Sequence, residues 1–173
     1  MKKILIAFVL GTVMAAGVAS AQTTFQAVLQ GINEVPPNGS PASGFGTVVL
    51  NAAQTQITVD ENWSGLVAPA SASHIHTAPA GVNGPVTFPF SGVPAATAGA
   101  IPTQVFAITA GQVASLFAGN MYMNVHDGAF PGGEIRGQLL LAPVPEPGAL
   151  ALAGVGAAAL GLLARRNKRA TEE

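Results

Sequence analysis

Three histidines are the residues whose type and spacing are best suited to chemistry in this sequence. His74 and His76 are separated by one residue, so on a β-strand both imidazoles project from the same face. His126 ends an alternating run in which Tyr122 and Asn124 share its face. Neutral imidazole is a common ligand of zinc and copper. If the two strands are neighbours, the three histidines form a candidate metal site for copper or zinc.

The same histidines have a structural alternative. The residues that alternate with His126 are apolar and form the natural core-facing set: Met121, Met123 and Val125. The histidines should therefore point away from the core. There they could simply form hydrogen bonds to the backbone of loops. Both interpretations, a metal site and structural hydrogen bonding, stay open from the residues alone.

Arg136 is the centre of a second group of residues, because it is the only cation in residues 22–143. An arginine among carboxylates typically forms a bidentate ion pair, and Glu34, Asp127 and Glu134 are the available partners. We predict a structural ion pair of Arg136 with Glu34 or Glu134. We predict no catalytic residues, because no nucleophile triad, phosphate-binding glycine loop or closely spaced carboxylate pair is present.

These residues must be positioned by short strands, because alternating runs rich in Gly, Pro, Thr, Val and Ala lie between turn signals. This pattern predicts an all-β, Greek-key or immunoglobulin-like sandwich or barrel of about eight strands. One short helix should begin after Thr109, with Gln112 at the capping-box position, and end at Gly119-Asn120. Ser91–Pro102 should be a long loop. The predicted strands are Phe25–Gln30, Gly46–Asn51, Gln56–Trp63, Ser73–Thr77, Val86–Phe90, Gln104–Ile108, Met121–His126 and Glu134–Leu141.

The N-terminus has the layout of a signal peptide. Met1-Lys2-Lys3 is followed by an apolar run, Ile4–Val18, and by the small-residue site Ala19-Ser20-Ala21. We expect removal of residues 1–21, the alternative being a retained N-terminal anchor.

The C-terminus has a different layout. Residues 148–164 carry no charge, and a basic cluster follows at 165–169. A transmembrane helix is expected over 148–164, with the basic cluster in the cytoplasm and the body of the protein outside. A buried core helix would need a polar face, which this segment lacks.

Charge and cysteine content restrict the partners and the means of stabilisation. Residues 22–143 contain one Arg against five Asp and Glu side chains, so this region carries a net charge of −4. Such a domain has no basic footprint for nucleic acid, and that class of partner is excluded. The sequence has no cysteine, so core packing must stabilise the domain without disulfides.

Residues 24–141 resemble a CHRD domain, which implies an extracellular module without a settled activity in bacteria. The last matching block is the most specific. The blocks that carry the resemblance are Phe25-x-Ala27-x-Leu29-x-Gly31, Asn33-Glu34-Val35-Pro36-Pro37, Gly65-Leu66, His74-Ile75-His76, Gly84-Pro85-Val86, Tyr122-Met123-Asn124-Val125-His126 and Pro131-Gly132-Gly133-Glu134-Ile135-Arg136-Gly137-Gln138.

Residues 144–173 resemble a PEP-CTERM sorting signal. The motif Val144-Pro145-Glu146-Pro147 precedes the apolar segment and the basic cluster, in the order that such signals have. The resemblance implies processing by an exosortase-type membrane protease in a Gram-negative bacterium. It also implies transient anchoring in the inner membrane and delivery to the envelope, surface or exopolysaccharide matrix.

A fainter similarity links the domain to copper–zinc superoxide dismutases. They also place Gly-Leu and His-x-His ahead of a later Val-His on a Greek-key barrel, with an arginine segment near the end. By this likeness His74, His76 and His126 match three copper ligands. The chain lacks a fourth histidine and any disulfide, so it has room for a mononuclear copper site but not for the full dismutase site.

Three classes of function follow from the sequence. The favoured one is a non-enzymatic envelope or matrix protein whose CHRD module (residues 22–143) mediates binding or adhesion. The alternatives are a histidine-based metal-binding module and, less favoured, a copper-dependent dismutase-like enzyme. The metal-binding alternative requires that the two histidine strands be neighbours.

Overall fold

The computed structural model of the protein describes residues 22–143. The predicted signal peptide (residues 1–21) and the predicted sorting signal with its transmembrane helix (residues 144–173) lie outside the described residues. Within residues 22–143, no helix has the length and apolar character that a membrane span requires.

The prediction of an all-β domain with one short helix is confirmed. A short 3-10 turn, Gly31–Asn33, follows the first strand, and the helix α1 is Ala110–Phe117. The strands are β1 Thr23–Gln30, β2 Ser43–Leu50, β3 Gln56–Ser64, β4 Ala70–Thr77, β5 Val86–Pro89, β6 Gly99–Ala100, β7 Gln104–Ala107, β8 Met121–Asp127, β9 Ile135–Gln138 and β10 Leu140–Leu141.

The strands form one curled sheet in the order β5-β4-β8-β9-β1-β2-β3-β6, with β7 also paired to β3 and β10 to β1. Its two ends come back towards each other. The side chain of Gln104 on β7 accepts a hydrogen bond from the Ser91 amide and donates one to the Ser91 carbonyl, just after β5. The rings of Phe88 and Phe106 lie 5.2 Å apart across the same gap.

The core lies inside this curled sheet, and the period-two alternation of the strands explains its composition. On β1 the alternate residues Phe25, Ala27 and Leu29 are at most 1 % exposed, while Val28 between them is 58 % exposed. Burying a large apolar side chain contributes about 1.5–3 kcal/mol. The domain has no disulfide, so this packing stabilises it.

Helix α1 closes part of the core, and its predicted capping box is confirmed. The Thr109 hydroxyl accepts from the Gln112 amide, and the Gln112 side-chain oxygen accepts from the Thr109 amide at 2.9 Å. Val113 and Leu116 are buried in the core. The helix is therefore held at its start by polar contacts and along one face by apolar packing.

Two sequence predictions about the strands need correction. The predicted strand Glu134–Leu141 is divided into β9 and β10. The predicted loop Ser91–Pro102 contains strand β6, whose Gly99 pairs with Trp63 on β3. A β-carbon at Gly99 would lie 2.9 Å from Cγ of Pro94, so glycine leaves room for the Pro94 ring beside this pairing. The Gly and Ala residues of this segment indicated a loop, but Gly99 and Ala100 pair with β3.

Candidate metal centre

The two strands that carry the histidines are direct neighbours in the sheet. Strand β4 pairs antiparallel with β8, and the register places His76 opposite Tyr122 and His74 opposite Asn124. His126 lies opposite Ala72, and the register shifts directly beside this pair, between Ala70 and Ala72. This adjacency, which the sequence left open, brings all three histidines to the same face of the strand pair.

That face is the one opposite the core, as predicted, but it is not open to solvent. The core side of the two strands carries Ile75, Met123 and Val125, all 0 % exposed. On the other side His76 is only 8 % exposed, and His74 and His126 are half-buried. Loop residues Gly84 and Pro131 hydrogen-bond to two of the rings on this face, so the histidines are partly shielded from solvent.

The three imidazoles converge. One ring nitrogen from each of His74, His76 and His126 lies within 4.8 Å of the corresponding nitrogens of the other two. The ring centroids are 5.0 Å apart for His74 and His126, 5.5 Å for His74 and His76, and 6.0 Å for His76 and His126. Each ring is therefore close enough to the other two to share one bound ion.

Backbone carbonyls determine which nitrogen carries the proton on two of these rings. His76 Nδ1 lies 3.0 Å from the Gly84 carbonyl, and His126 Nδ1 lies 3.0 Å from the Pro131 carbonyl. A carbonyl can only accept, so in each neutral ring we assign the proton to Nδ1. The Nε2 lone pairs of both rings are then free. A hydrogen bond from the second nitrogen to a backbone carbonyl is how metal-binding histidines are usually oriented.

Three buried ring nitrogens have no hydrogen-bond partner: His74 Nδ1, His76 Nε2 and His126 Nε2. A buried polar atom without a partner costs about 1–3 kcal/mol. Native proteins contain only a few such atoms, and three in one cluster require an explanation. A metal ion bound by the three lone pairs would satisfy all of them together.

The electrostatics keep these rings neutral, which is the form that binds metals. Burial, together with the neighbouring rings of His126 and His76, lowers the pKa of His74 to about 4. Burial also lowers the pKa values of His76 and His126, against the opposing effect of their carbonyl hydrogen bonds. Protons therefore do not compete with a metal at this site near neutral pH.

The distances fit a small divalent ion after modest adjustment. Zinc–nitrogen bonds of about 2.0–2.1 Å in tetrahedral geometry place the ligand nitrogens roughly 3.3 Å apart. Small rotations of the imidazoles would bring nitrogens that lie within 4.8 Å to this spacing. Among the described residues, the cluster has no fourth histidine, cysteine or carboxylate. Three protein ligands would leave one coordination position for water or another ligand.

Tyr122 packs directly on the candidate site. Its ring is stacked on the ring of His76, with an interplanar angle of 5° and centroids 4.8 Å apart. The guanidinium carbon of Arg136 lies 3.4 Å from the centre of the same Tyr122 ring. The sequence placed Tyr122 on the face of His126 but gave no sign of this stack, which depends on the register between β4 and β8.

Arg136 and Glu34, two of the predicted ion-pair residues, have different hydrogen-bond partners. Arg136 donates its hydrogen bonds to Asn83 and to the carbonyls of Val82 and Pro79. Glu34 accepts from the side-chain amide of Asn124 at 2.5 Å, and its attraction to Arg136 acts through space.

Glu134, the residue directly before β9, belongs to another hydrogen-bond network. It accepts hydrogen bonds from the Val67 amide and the Ser40 hydroxyl, and it shares a hydrogen bond with Asp127. The described hydrogen bonds of Arg136 go to loop acceptors, and its ion pair with Glu34 or Glu134 stays a prediction.

Several residues that shape the site carried no chemical signal in the sequence. Gly84 and Pro131 act through backbone carbonyls, which any residue possesses. The Asn83-Gly84-Pro85 and Pro131-Gly132-Gly133 segments were recognisable as turns, and this was the available clue. The sequence could not show that these turns lie beside the histidines, because that depends on the register of the sheet.

The structure thus defines a class of protein, an all-β domain that carries a three-histidine cluster on the face of two neighbouring strands opposite the core. Residues 25–139, more than half of the chain, match the CHRD domain family, and the chain belongs to that family. Residues 143–169 match the PEP-CTERM protein-sorting motif. Comparison with curated proteins and with solved structures found no significant match.

The sorting motif has direct consequences for where the protein acts. Proteins with this motif are processed by exosortase, a membrane protease, and are exported to the cell surface of Gram-negative bacteria. The CHRD domain with its histidine cluster is therefore a surface or envelope module.

Proposed function

We propose that this protein is an exported metal-binding module in which His74, His76 and His126 hold one copper or zinc ion. The observation that carries the proposal is the convergence of three buried ring nitrogens that lack hydrogen-bond partners. Imidazole nitrogens are suitable ligands for both metals. The sequence alone favoured a binding or adhesion role, and the geometry of the cluster shifts the preference to metal binding.

The chain's own residues would hold the ion in a defined way. The Gly84 and Pro131 carbonyls orient two of the rings, and the stacked Tyr122 shields the His76 side from water. All three ligands are neutral, so a divalent ion would keep its full charge, within a domain of net charge −4. When bound, copper supplies one-electron chemistry and zinc supplies Lewis acidity.

Metal content tests the proposal directly. The protein would be purified without a histidine tag, loaded with copper or zinc, and dialysed beside the variant His74→Ala/His76→Ala/His126→Ala. We expect about one tightly held metal ion per chain in the wild type and none in the variant. Equal metal content in both proteins, or none in either, would refute the proposal.

A dismutase-like activity is a separate hypothesis, motivated by a set of three histidine ligands that would leave a coordination position for a small molecule. It requires that the copper-loaded protein consume superoxide and that the triple histidine variant lose both metal and activity. Metal binding without superoxide consumption would support the metal-binding function and refute the dismutase-like activity.

A binding or adhesion function has its own structural support, distinct from the histidines. An open cavity of about 670 Å³ has Glu34 and Arg136 among its lining residues. Exposed apolar side chains also line it: Val28, Ile32, Phe45 and Leu140. Clustered apolar exposure of this kind marks interaction sites. We propose that this surface contacts an envelope or exopolysaccharide component.

The two functions can be separated by a pair of variants. Phe45→Ser should lower retention of the protein at the cell surface and leave metal content unchanged. The triple histidine variant should lose metal and keep surface retention. If Phe45→Ser is retained like the wild type, the adhesion proposal for this surface fails.

Maturation of the chain follows from the two ends. We propose that the signal peptide is removed after Ala21 and that residues 148–164 hold the precursor in the inner membrane. Exosortase would then cut near Pro145-Glu146-Pro147 and release the domain to the envelope or matrix. The sorting-motif match over residues 143–169 supports the second half of this sequence of events.

A further inference from the structure

We propose that Arg136 is a positioning residue for the metal centre: it fixes loop 79–84, and that loop fixes the ring of His76. The proposal rests on the metal-binding function proposed for the three histidines. It assigns to the single arginine of the domain a role different from the carboxylate pair that its residue type suggested.

The first step is the contact between Arg136 and the loop. Arg136 is 1 % exposed on β9, and its guanidinium donates to the side chain of Asn83 at 3.2 Å. It also donates to the carbonyls of Val82 at 2.9 Å and Pro79 at 3.4 Å. A guanidinium is a rigid planar fork, so three acceptors on one short loop are held in one geometry. The side chains of residues 79–83 are exposed, so this loop depends on polar contacts rather than on burial.

The second step runs through Gly84, the next residue of the loop. Its carbonyl accepts the hydrogen bond from His76 Nδ1 at 3.0 Å. Its amide donates to the hydroxyl of Tyr122 at 3.2 Å, and Tyr122 is the residue stacked on His76. A β-carbon at Gly84 would lie 2.0 Å from the Thr77 carbonyl, so glycine is required for this approach.

Arg136 reaches His76 by a second route as well. Its guanidinium carbon lies 3.4 Å from the centre of the Tyr122 ring, a cation–π contact. The Tyr122 ring is parallel to His76. His76 is therefore held by a hydrogen bond to Gly84 on its edge and by the Tyr122 ring on its face. Arg136 contacts that ring and the loop residues just before Gly84. Together the hydrogen bond and the stacked ring keep the proton on Nδ1 and leave Nε2 free for the metal.

The test compares His76 with His126, whose Nδ1 proton is held by Pro131 and does not depend on loop 79–84. Protein labelled with ¹⁵N and expressed from the full-length sequence would be studied without metal by long-range ¹H–¹⁵N spectra, which distinguish the two tautomers. Asn83→Ala removes one acceptor of Arg136, and Tyr122→Phe removes the acceptor of the Gly84 amide. Arg136→Lys keeps the charge and removes the fork. The control Thr103→Val removes an exposed hydrogen bond to Asp60 elsewhere in the sheet.

We expect the wild type and Thr103→Val to show both His76 and His126 protonated on Nδ1. In Asn83→Ala and Tyr122→Phe, His76 should become a mixture of tautomers while His126 stays unchanged. Copper or zinc affinity should fall by about 10–100-fold, as is typical for groups that orient metal ligands. Arg136→Lys should show the larger effect, and if it does not fold, the two milder variants decide.

The inference is overturned if His76 stays protonated on Nδ1 in both milder variants and their metal affinity is within twofold of the wild type. It is also overturned if the tautomer of His126 changes as much as that of His76. The variants would then disturb the structure around both rings rather than the orientation of His76 alone. If the tautomer of His76 shifts as expected but the wild type binds no metal, the metal-binding function fails and the positioning of His76 by Arg136 stands.

Discussion

Glu61 on β3 and Ser73 on β4 meet in the middle of the core, where the carboxyl group of Glu61 is hydrogen-bonded to the hydroxyl of Ser73. The Ser73 oxygen also lies 2.9 Å from the Asn124 carbonyl, which can only accept. A hydroxyl has one proton, so if Ser73 donates to Asn124 it must accept from Glu61. A protonated Glu61 would satisfy both contacts, and this agrees with its electrostatics, because burial raises the pKa of Glu61 to about 8.

This hydrogen-bonded chain predicts a pH-dependent stability. Because the folded state raises the pKa of Glu61 from 4.5 to about 8, the folded protein retains a proton that the unfolded chain releases. The free energy of unfolding should therefore fall by about 1.4 kcal/mol per pH unit between these two values. Below the lower value the group is neutral in both states and has no effect. Denaturant unfolding of the wild type and Glu61→Gln at each pH would isolate this contribution.

Glu61→Gln should lack this slope, since an amide donates to Ser73 and does not titrate. Its matched control is Asp60→Asn, on the same strand but exposed and bonded to Thr103. Asp60→Asn should keep the wild-type slope. Parallel curves for the wild type and Glu61→Gln would mean that Glu61 is not protonated in the folded protein.

Neighbouring glycines beside the site give a second prediction. Gly133 has a φ of 127°, and a β-carbon there would lie 2.4 Å from the Asn124 side chain and 2.7 Å from Glu34. Gly133→Ala should cost about 2–4 kcal/mol from backbone strain and overpacking. At Gly132 a β-carbon has nothing within 4 Å, and Gly132→Ala should change stability by less than about 0.5 kcal/mol. Equal unfolding midpoints for the two variants would contradict this assignment.

The start of helix α1 gives a third prediction. Thr109→Ala removes the hydroxyl that accepts from the Gln112 amide and should destabilise the domain by about 1 kcal/mol. Ser115 in the same helix donates back to the Gly111 carbonyl. Ser115→Ala removes that competing bond and should be neutral or slightly stabilising. Thermal unfolding compares the two, and a Thr109→Ala variant as stable as Ser115→Ala would show that the cap contributes nothing.

The sorting motif gives a prediction in the cell. Replacing Glu146 within the Pro-Glu-Pro motif by alanine should leave an unprocessed precursor held in the membrane, because the processing protease would no longer recognise it. Immunoblots of membrane and surface fractions measure this. The control Glu173→Ala lies beyond the matched region and should be processed normally. Normal amounts of mature Glu146→Ala protein at the surface would refute the sorting role.

The sequence was sufficient for the parts of the fold that depend on local pattern. Alternation located the strands to within a few residues, and Thr109 with Gln112 located the helix start. It could not place β6, because the Gly and Ala residues of that segment also suit a loop. It could not divide β9 from β10, since the pattern of residues 134–141 is continuous.

The candidate site was predictable only in its ligands. His74, His76 and His126 were identified by type and spacing, and their shared face followed from strand geometry. Their convergence depended on the pairing of β4 with β8, which is a long-range contact with no local signal. The roles of Gly84 and Pro131 depended on loops that fold over the strands. Arg136 was recognised by its charge, but its partners were not. Two of them are backbone carbonyls, which every residue has, so residue type does not indicate them.

The most direct measurement of the central claim is a crystal structure of the copper- or zinc-loaded protein, with an anomalous-difference map recorded at the absorption edge of the metal. We predict one strong peak about 2.0–2.1 Å from three atoms, His74 Nδ1, His76 Nε2 and His126 Nε2. A peak elsewhere on the domain, or no peak with all three rings in their present positions, would contradict the metal-centre account.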